Sequence, residues 1–404
     1  MATLPAPAGY DPGPVTLSIL DAVRDPAGRR AFLRLPEMVY AGDPGYCASR
    51  PGDAAASLER REFAERQLAM VAVVAGRPAA RLVARLSPAL RDASGRPYGM
   101  LGFAEALAGA AGGAAAARLF AEAIAWLRAG GAGEIIGPMD GDTWHRHRLN
   151  VGPWDEEPFL LEPYNPPHYR ELWEAQGFAV LERYGSLRVD DLPAVAAHLE
   201  PRRQQALGAG YRLRRLDMRR FREELGVLYR LSCVIFAGNF LYTEIPEAEF
   251  AALYVGARGL VDPDLAWIAE APGGEPVGFL FAFPDRFREV AALRGGRGPG
   301  ALLRYGAARL RRRGRLPAVN FKTLGVLAAH RRAGIAAALM AQGHLAAASK
   351  GYTIAHHCLF REGNPSGRLD GGHGRVLRRY LLYRLATAPG GGLAPIAATG
   401  AEAR

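Results

Sequence analysis

Lysine is nearly missing from this chain. Of 51 lysines and arginines among 404 residues, two are lysine, Lys322 and Lys350. With 49 glycines and an alanine excess, this looks like GC-rich codon usage. Cysteine is also sparse, and Cys47, Cys233 and Cys358 stand far apart. Their odd number and wide spacing give no metal motif and point to a reducing cytoplasm. No stretch is apolar for long enough to span a membrane. The opening MATLPAPAGYDPGPVT lacks the basic flank and apolar core of a signal peptide. Acidic side chains fall short of basic ones, leaving a formal net charge of +11. Such a surface attracts nucleic acid, a phosphate group or an acidic carrier protein. The densest run, RLRRRGRLP from Arg309 to Pro317, has no interleaved aromatic residues. A solvated helix end is therefore favoured over a nucleic-acid patch.

What is there is an ordinary globular composition, 49% hydrophobic and 23% charged. The length accommodates two domains or one large one. In the first half, AMVAVVAGRPAARLVARLSP reads as a strand hairpin, and YGMLGFAEAL as a further strand. Gly112 to Gly131 reads as a helix bounded by glycines, EIIGPM as a short strand, and the YNPPHYRELWEAQGF stretch as turn and helix before another strand. The second half repeats this order, with a hairpin around a PGG turn, the strand VNFKTLGVL, a helix over Ala333 to Lys350 and the strand YTIAHHCLF. The strand RVLRRYLLYRLA, Arg375 to Ala386, closes it. The repeat of element order indicates a tandem duplication.

Between strand and helix in the second half lies LGVLAAHRRAGIAAALM. Ile335, Leu339, Met340 and Leu345 fall on one helical face, as for a helix packed on a sheet. The join carries the free amides of a helix start, a glycine that allows close backbone approach, and Arg331 and Arg332. That is a site for an anion, most simply a phosphate or pyrophosphate. The Gly-Lys-Ser/Thr of a Walker A loop and the Gly-x-Gly-x-x-Gly of a dinucleotide fold are both missing.

This join, with Arg331, Gly334 and Ala336 after a strand, resembles motif A of the GNAT (Gcn5-related N-acetyltransferase) superfamily. FLRLPEMVYAGDPGY, GFAEAL, EIIGPMDGDTWH, PFLLEPYNPPHYRELWEAQGF and VGFLFAFPD extend the likeness to tandem members of that superfamily, from about Asp21 onward. The resemblance implies an α/β (α+β) chain of two tandem GNAT-like domains, each a mixed, largely antiparallel twisted sheet flanked by helices. They would span residues 15–195 and 205–388, with residues 389–404 a disordered tail. The first unit lacks the phosphate loop. The second would bind acetyl-CoA or another acyl-CoA through Arg331, Arg332, Ala333, Gly334, Ile335, Ala336 and Ala337, with pantetheine along Leu324 and Val326.

The implied reaction is transfer of an acyl group, acetyl in the simplest case, from CoA to the amine of a small molecule or peptide. It needs a base for the amine, a donor for the tetrahedral oxyanion and an acid for the thiolate. His356, on the strand beside the expected thioester gap, is the candidate base. Tyr383 and Tyr380, on the closing strand, are candidate acids, because the position of the family's usual tyrosine falls near Gly371. Asn364 matches the asparagine that opens the second family motif and can equally be a helix cap. Cys358 with His356 as partner would give a covalent route, but no third orienting group accompanies them. Trp144, His145 and Tyr164 belong to an aromatic stretch that can line the acceptor pocket or fill an interdomain core. His145 and His147 lack the companions a metal needs, so no metal is expected. An acyl carrier protein is a possible partner, nucleic acid is not favoured, and the chain is expected to be a monomer or homodimer. Two readings stay open beside the first: an aminoacyl-tRNA- or acyl-carrier-dependent amide-forming transferase, and a catalytically lapsed acyl-CoA binder.

Overall fold

The computed structural model describes residues 17–49, 52–255, 258–296, 298–311 and 318–386. The expected tail, the opening segment and most of the arginine run lie outside these residues. The first half contains β1 (Leu17–Asp21), α1 (Pro26–Val39), α2 (Asp53–Leu58), β2 (Gln67–Val74), β3 (Arg77–Arg91), β4 (Pro97–Ala106) and α3 (Ala110–Ala129). It continues with β5 (Glu134–Gly137), β6 (Leu149–Asn150), α4 (Tyr169–Glu174) and β7 (Ala179–Val189). The second half contains α5 (Leu192–Gly208), β8 (Arg212–Arg215), α6 (Phe221–Phe236), α7 (Glu247–Val255), β9 (Ala266–Glu270), β10 (Pro276–Pro284), α8 (Phe287–Ala291) and α9 (Pro299–Arg311). It ends with β11 (Val319–Val326), α10 (Ile335–Ser349), β12 (Ala355–Arg361) and β13 (Gly374–Ala386). Helix α5 bridges the interval between the two units expected from the sequence.

All the strands join one sheet, in the order β1-β2-β3-β4-β5-β13-β7-β12-β11-β10-β9-β8, with β6 also on β13. The pairing interleaves the halves. The last described strand, β13, sits between β5 and β7 of the first half, and β7 in turn pairs with β12 of the second. Continuous apolar runs such as AMVAVV favour these strands, and each half packs a helix on its sheet, α3 on β2, β3 and β4, α10 on β9, β10 and β11.

The two parallel pairs are short and then part. Strand β4 meets β5 at Gly99 and Met100, and β11 meets β12 from Val319 to Phe321. In the first half the space beyond is filled. The Tyr169 hydroxyl bonds both the backbone N–H (2.8 Å) and the carbonyl (3.1 Å) of Ala106 on β4. Trp173 packs edge-on against Phe120 and Phe178 and stacks on Tyr383. Each such aromatic contact contributes about 0.5–1.5 kcal/mol beyond its burial.

Helix α10 differs from the expected one-faced helix. Helix α5 packs over it, so it is buried on most sides, and His344 is inside while Leu345 stays 39% exposed. A helix apolar all round belongs in a core. Gly343 lets it approach the sheet, since a Cβ there would lie 2.5 Å from Leu280 Cδ2 and 2.7 Å from Phe321 Cε1.

Candidate active site

Beyond Phe321 and His357, β11 and β12 no longer pair. The Leu327 amide donates to Val277 on β10. By alternation along β11, Lys322, Leu324 and Val326 turn their backbone groups away from β10 and into the gap. The Val326 carbonyl there accepts from Arg331 Nε at 3.3 Å. The loop that follows is a short 3-10 turn, Ala328–Ala333, and Gly334 takes a left-handed φ of 81° before α10. No side chain caps the first turn of α10, so its amides retain their positive end for an anion. A Cβ at Gly334 would meet the Arg202 carbonyl at 2.8 Å, which fixes the glycine there. Arg331 and Arg332 are exposed beside Ala333, Ile335, Ala336 and Ala337.

Side chains on the face of β11 and β12 away from α10 form a polar cluster. His356 Nδ1 lies 2.9 Å from Asn320 Oδ1, with the Asp285 carboxylate 3.9 Å away and the Phe159 ring beside it. Burial, and then Arg188, pushes the His356 imidazole down to about 4, so it is neutral. Asn320 Nδ2 is buried with no hydrogen-bond partner. Lys322, next on this face, is pushed down by burial and feels Cys358, Arg148 and Glu162. His357 points the other way, 3.1 Å from His344 beneath α10.

Glu162 completes the cluster from the first half. Its side chain is 1% exposed, with Arg378 Nε 3.4 Å away. It accepts a 2.5 Å hydrogen bond from the Tyr380 hydroxyl, which also lies 3.1 Å from Ser186 Oγ. Burial pushes the Glu162 carboxyl up to about 7, against the pull of Arg378. Burial and Glu162 together hold the Tyr380 phenol well above its ordinary value. A carboxylate near neutrality hydrogen-bonded to a protonated phenol is an acid–base pair suited to proton transfer.

Some expected residues do not gather here. Tyr383 lies across from Val180 on β7 and His356 across from Arg188. Those partners stand eight positions apart along β7, roughly 26 Å at the usual strand rise. Tyr383 instead bonds Glu174 and stacks on Trp173 in the first-half core. Asn364 is exposed and caps the turn at Ser366. At Gly371 a Cβ would lie 2.5 Å from the His198 ring, so the family's usual tyrosine has no room. Trp144 packs on Tyr242 and Phe250 and donates to the Thr243 carbonyl, a contact between the halves. His145 is held by Asp142 at 2.8 Å, and Tyr164 donates separately to Asp43. Glu162, Lys322, Asn320 and Asp285 were not singled out from the sequence. The one available signal was a carboxylate inside the apolar run PFLLEPY.

No protein-family model matches the chain. Bacterial ceramide synthase of Caulobacter vibrioides is 27% identical over 307 residues, covering 74% of this chain and 77% of that protein. Protein YghO of Escherichia coli is 25% identical over 297 residues, covering 70% of each. Among solved structures, a GCN5-related glucosamine N-acetyltransferase region of a fungal multi-domain beta-N-acetylglucosaminidase superposes with a TM-score of 0.53 at 15% identity. That superposition covers 94% of this chain and 39% of the other. The chain has the fold of the GCN5-related N-acetyltransferases.

Proposed function

We propose that this chain is an N-acyltransferase that takes an acyl group from an acyl-CoA and delivers it to an amine by direct attack. The observation that carries the proposal is the buried Glu162–Tyr380 pair beside the gap between β11 and β12. The CoA phosphates would meet the Arg331–Ala337 loop, and pantetheine would run along Leu324 and Val326. The acceptor nitrogen gives its proton to Glu162 and bonds to the thioester carbon. Lys322 and the orphan Asn320 amide stand where they can hold the oxyanion. The carbon–sulfur bond then breaks, and the thiolate takes a proton from Tyr380, which recovers one from Glu162 along their hydrogen bond. His356, neutral and held by Asn320, orients that amide. The pair is shut off from water here, so substrates must displace its cover. Tyr169 occupies the corresponding strand of the first half, leaving that half to supply Glu162 rather than a second donor site.

One relative is named a bacterial ceramide synthase, so a lipid amine is the first acceptor to try. The test is amine-dependent release of free thiol from acetyl-CoA and from longer acyl-CoAs. Release should fall by about 10²–10⁴ in Glu162→Gln. Acyl-CoA binding without thiol release from any amine would leave a lapsed binder. Ribonuclease-sensitive amide formation would leave the tRNA-dependent class.

A further inference from the structure

Helix α9 carries its apolar side chains on the wrong face. Ala301, Tyr305 and Ala308 recur at helical spacing and turn toward the protein. The opposite face presents Leu302, Leu303 and Leu310, which are 60%, 74% and 63% exposed. Arg309 lies on one flank of this leucine face, and Arg304 and Arg311 on the other. Arg304 donates to the carbonyls of Ala292 and Leu293, which pins the helix to the segment after α8. Three outward leucines within about two and a half turns would be a solubility liability on a surface meant for water alone.

The connection leads back to the candidate site. Strand β10 ends at Pro284, and the next residue, Asp285, faces His356 and caps both Leu160 and Phe287. Helices α8 and α9 therefore form the connection between β10 and β11, and it begins beside His356. Arg288 on α8 also pairs with Glu157 at 2.7 Å, tying the connection to the segment that carries Glu162.

We infer that α9 lies on an anionic lipid surface, its leucines entering the acyl boundary and its arginines meeting the headgroup phosphates, so that the site opens beside a membrane. Charge complementarity chooses this occupant: the leucine face is bordered by arginines on both sides, and the chain as a whole carries +11. No described helix is long and apolar enough to cross a membrane, so the contact is peripheral. The inference deepens the acyl-transfer reading by naming where a lipid amine would be met, but its test does not depend on turnover.

The experiment is sedimentation of the full chain with vesicles of phosphatidylcholine alone and of equal parts phosphatidylcholine and phosphatidylglycerol. The wild type should bind the anionic vesicles and release on added salt. Leu302→Ser/Leu303→Ser/Leu310→Ser should weaken binding about tenfold or more, and Arg309→Glu/Arg311→Glu should remove its dependence on anionic lipid. Both variants should keep the wild-type thermal midpoint and thiol release from a water-soluble amine, because none of these residues touches the site. Failure of the wild type to bind anionic vesicles, or binding unchanged in the leucine variant, would overturn the inference while leaving acyl transfer intact. So would a leucine-dependent dimer in solution or leucine-dependent binding of an acidic carrier protein without vesicle binding.

Discussion

Glu162 and Tyr380 are 218 residues apart in the chain and 2.5 Å apart in space. A sequence read locally shows His356 on its strand and the arginines on their loop. It cannot show which carboxylate arrives from the other half. The same distance leaves Tyr380 and Tyr383 alike in the sequence: both lie on β13, and only their partners, Glu162 and Glu174, distinguish them. If Glu162 is the base, kcat/KM should rise with pH through about 7 as the carboxyl ionises. A profile flat across that range in the wild type would exclude it. Stability should run the opposite way. A carboxyl raised in the folded state supports the fold fully below its ordinary value of 4.5 and loses that support as pH climbs through about 7. Glu162→Gln should therefore gain stability relative to the wild type as pH increases, measured by urea midpoints.

At the scale of elements, β11, its turn and α10 were legible because their signals are local: an apolar run, a glycine and a run of helix formers. The face that α10 presents was misread because α5, which covers it, lies more than a hundred residues upstream. Two glycines test this layer. Gly343→Ala should destabilise the protein by about 1–3 kcal/mol despite alanine's better helix propensity, because its Cβ enters the space of Leu280 and Phe321. A midpoint at or above wild type would mean that α10 can ride further from the sheet. Gly334→Asp places a carboxylate at a backbone φ of 81° and against the Arg202 carbonyl. It should abolish acyl-CoA binding in calorimetric titration, and Arg331→Glu should weaken it. Undiminished binding in both would move the donor away from this loop.

For the whole molecule, the order of elements was readable but their exchange was not. Nothing in RVLRRYLLYRLA says that it will pair with EIIG rather than with its own half, since strand partners are set by global topology. One consequence is cooperativity. With β13 between β5 and β7, the two halves should unfold in a single calorimetric transition. Two resolved transitions would contradict the shared sheet. Acid should also weaken the whole. Burial holds His344 and His356 near 4, below their ordinary 6.5. Their contribution is complete above 6.5 and is lost as pH falls toward 4, on the order of 1–3 kcal/mol each. A urea midpoint of the Glu162→Gln variant, which lacks the opposing carboxyl, that stays level over that interval would contradict this.

The place of β13 also bears on how the protein is made. Strand β5 ends at Gly137 and its neighbour begins at Gly374, so the 236 residues from Pro138 to His373 must be translated between them. At roughly 5–20 residues per second, the first half waits about ten to fifty seconds on the ribosome with one strand position vacant. A nascent chain that stops short of Gly374 leaves an open edge on β5 and on β7. Completion of the polypeptide is thereby coupled to completion of its sheet, and a prematurely terminated copy exposes the kind of edge that proteolysis and chaperones act upon.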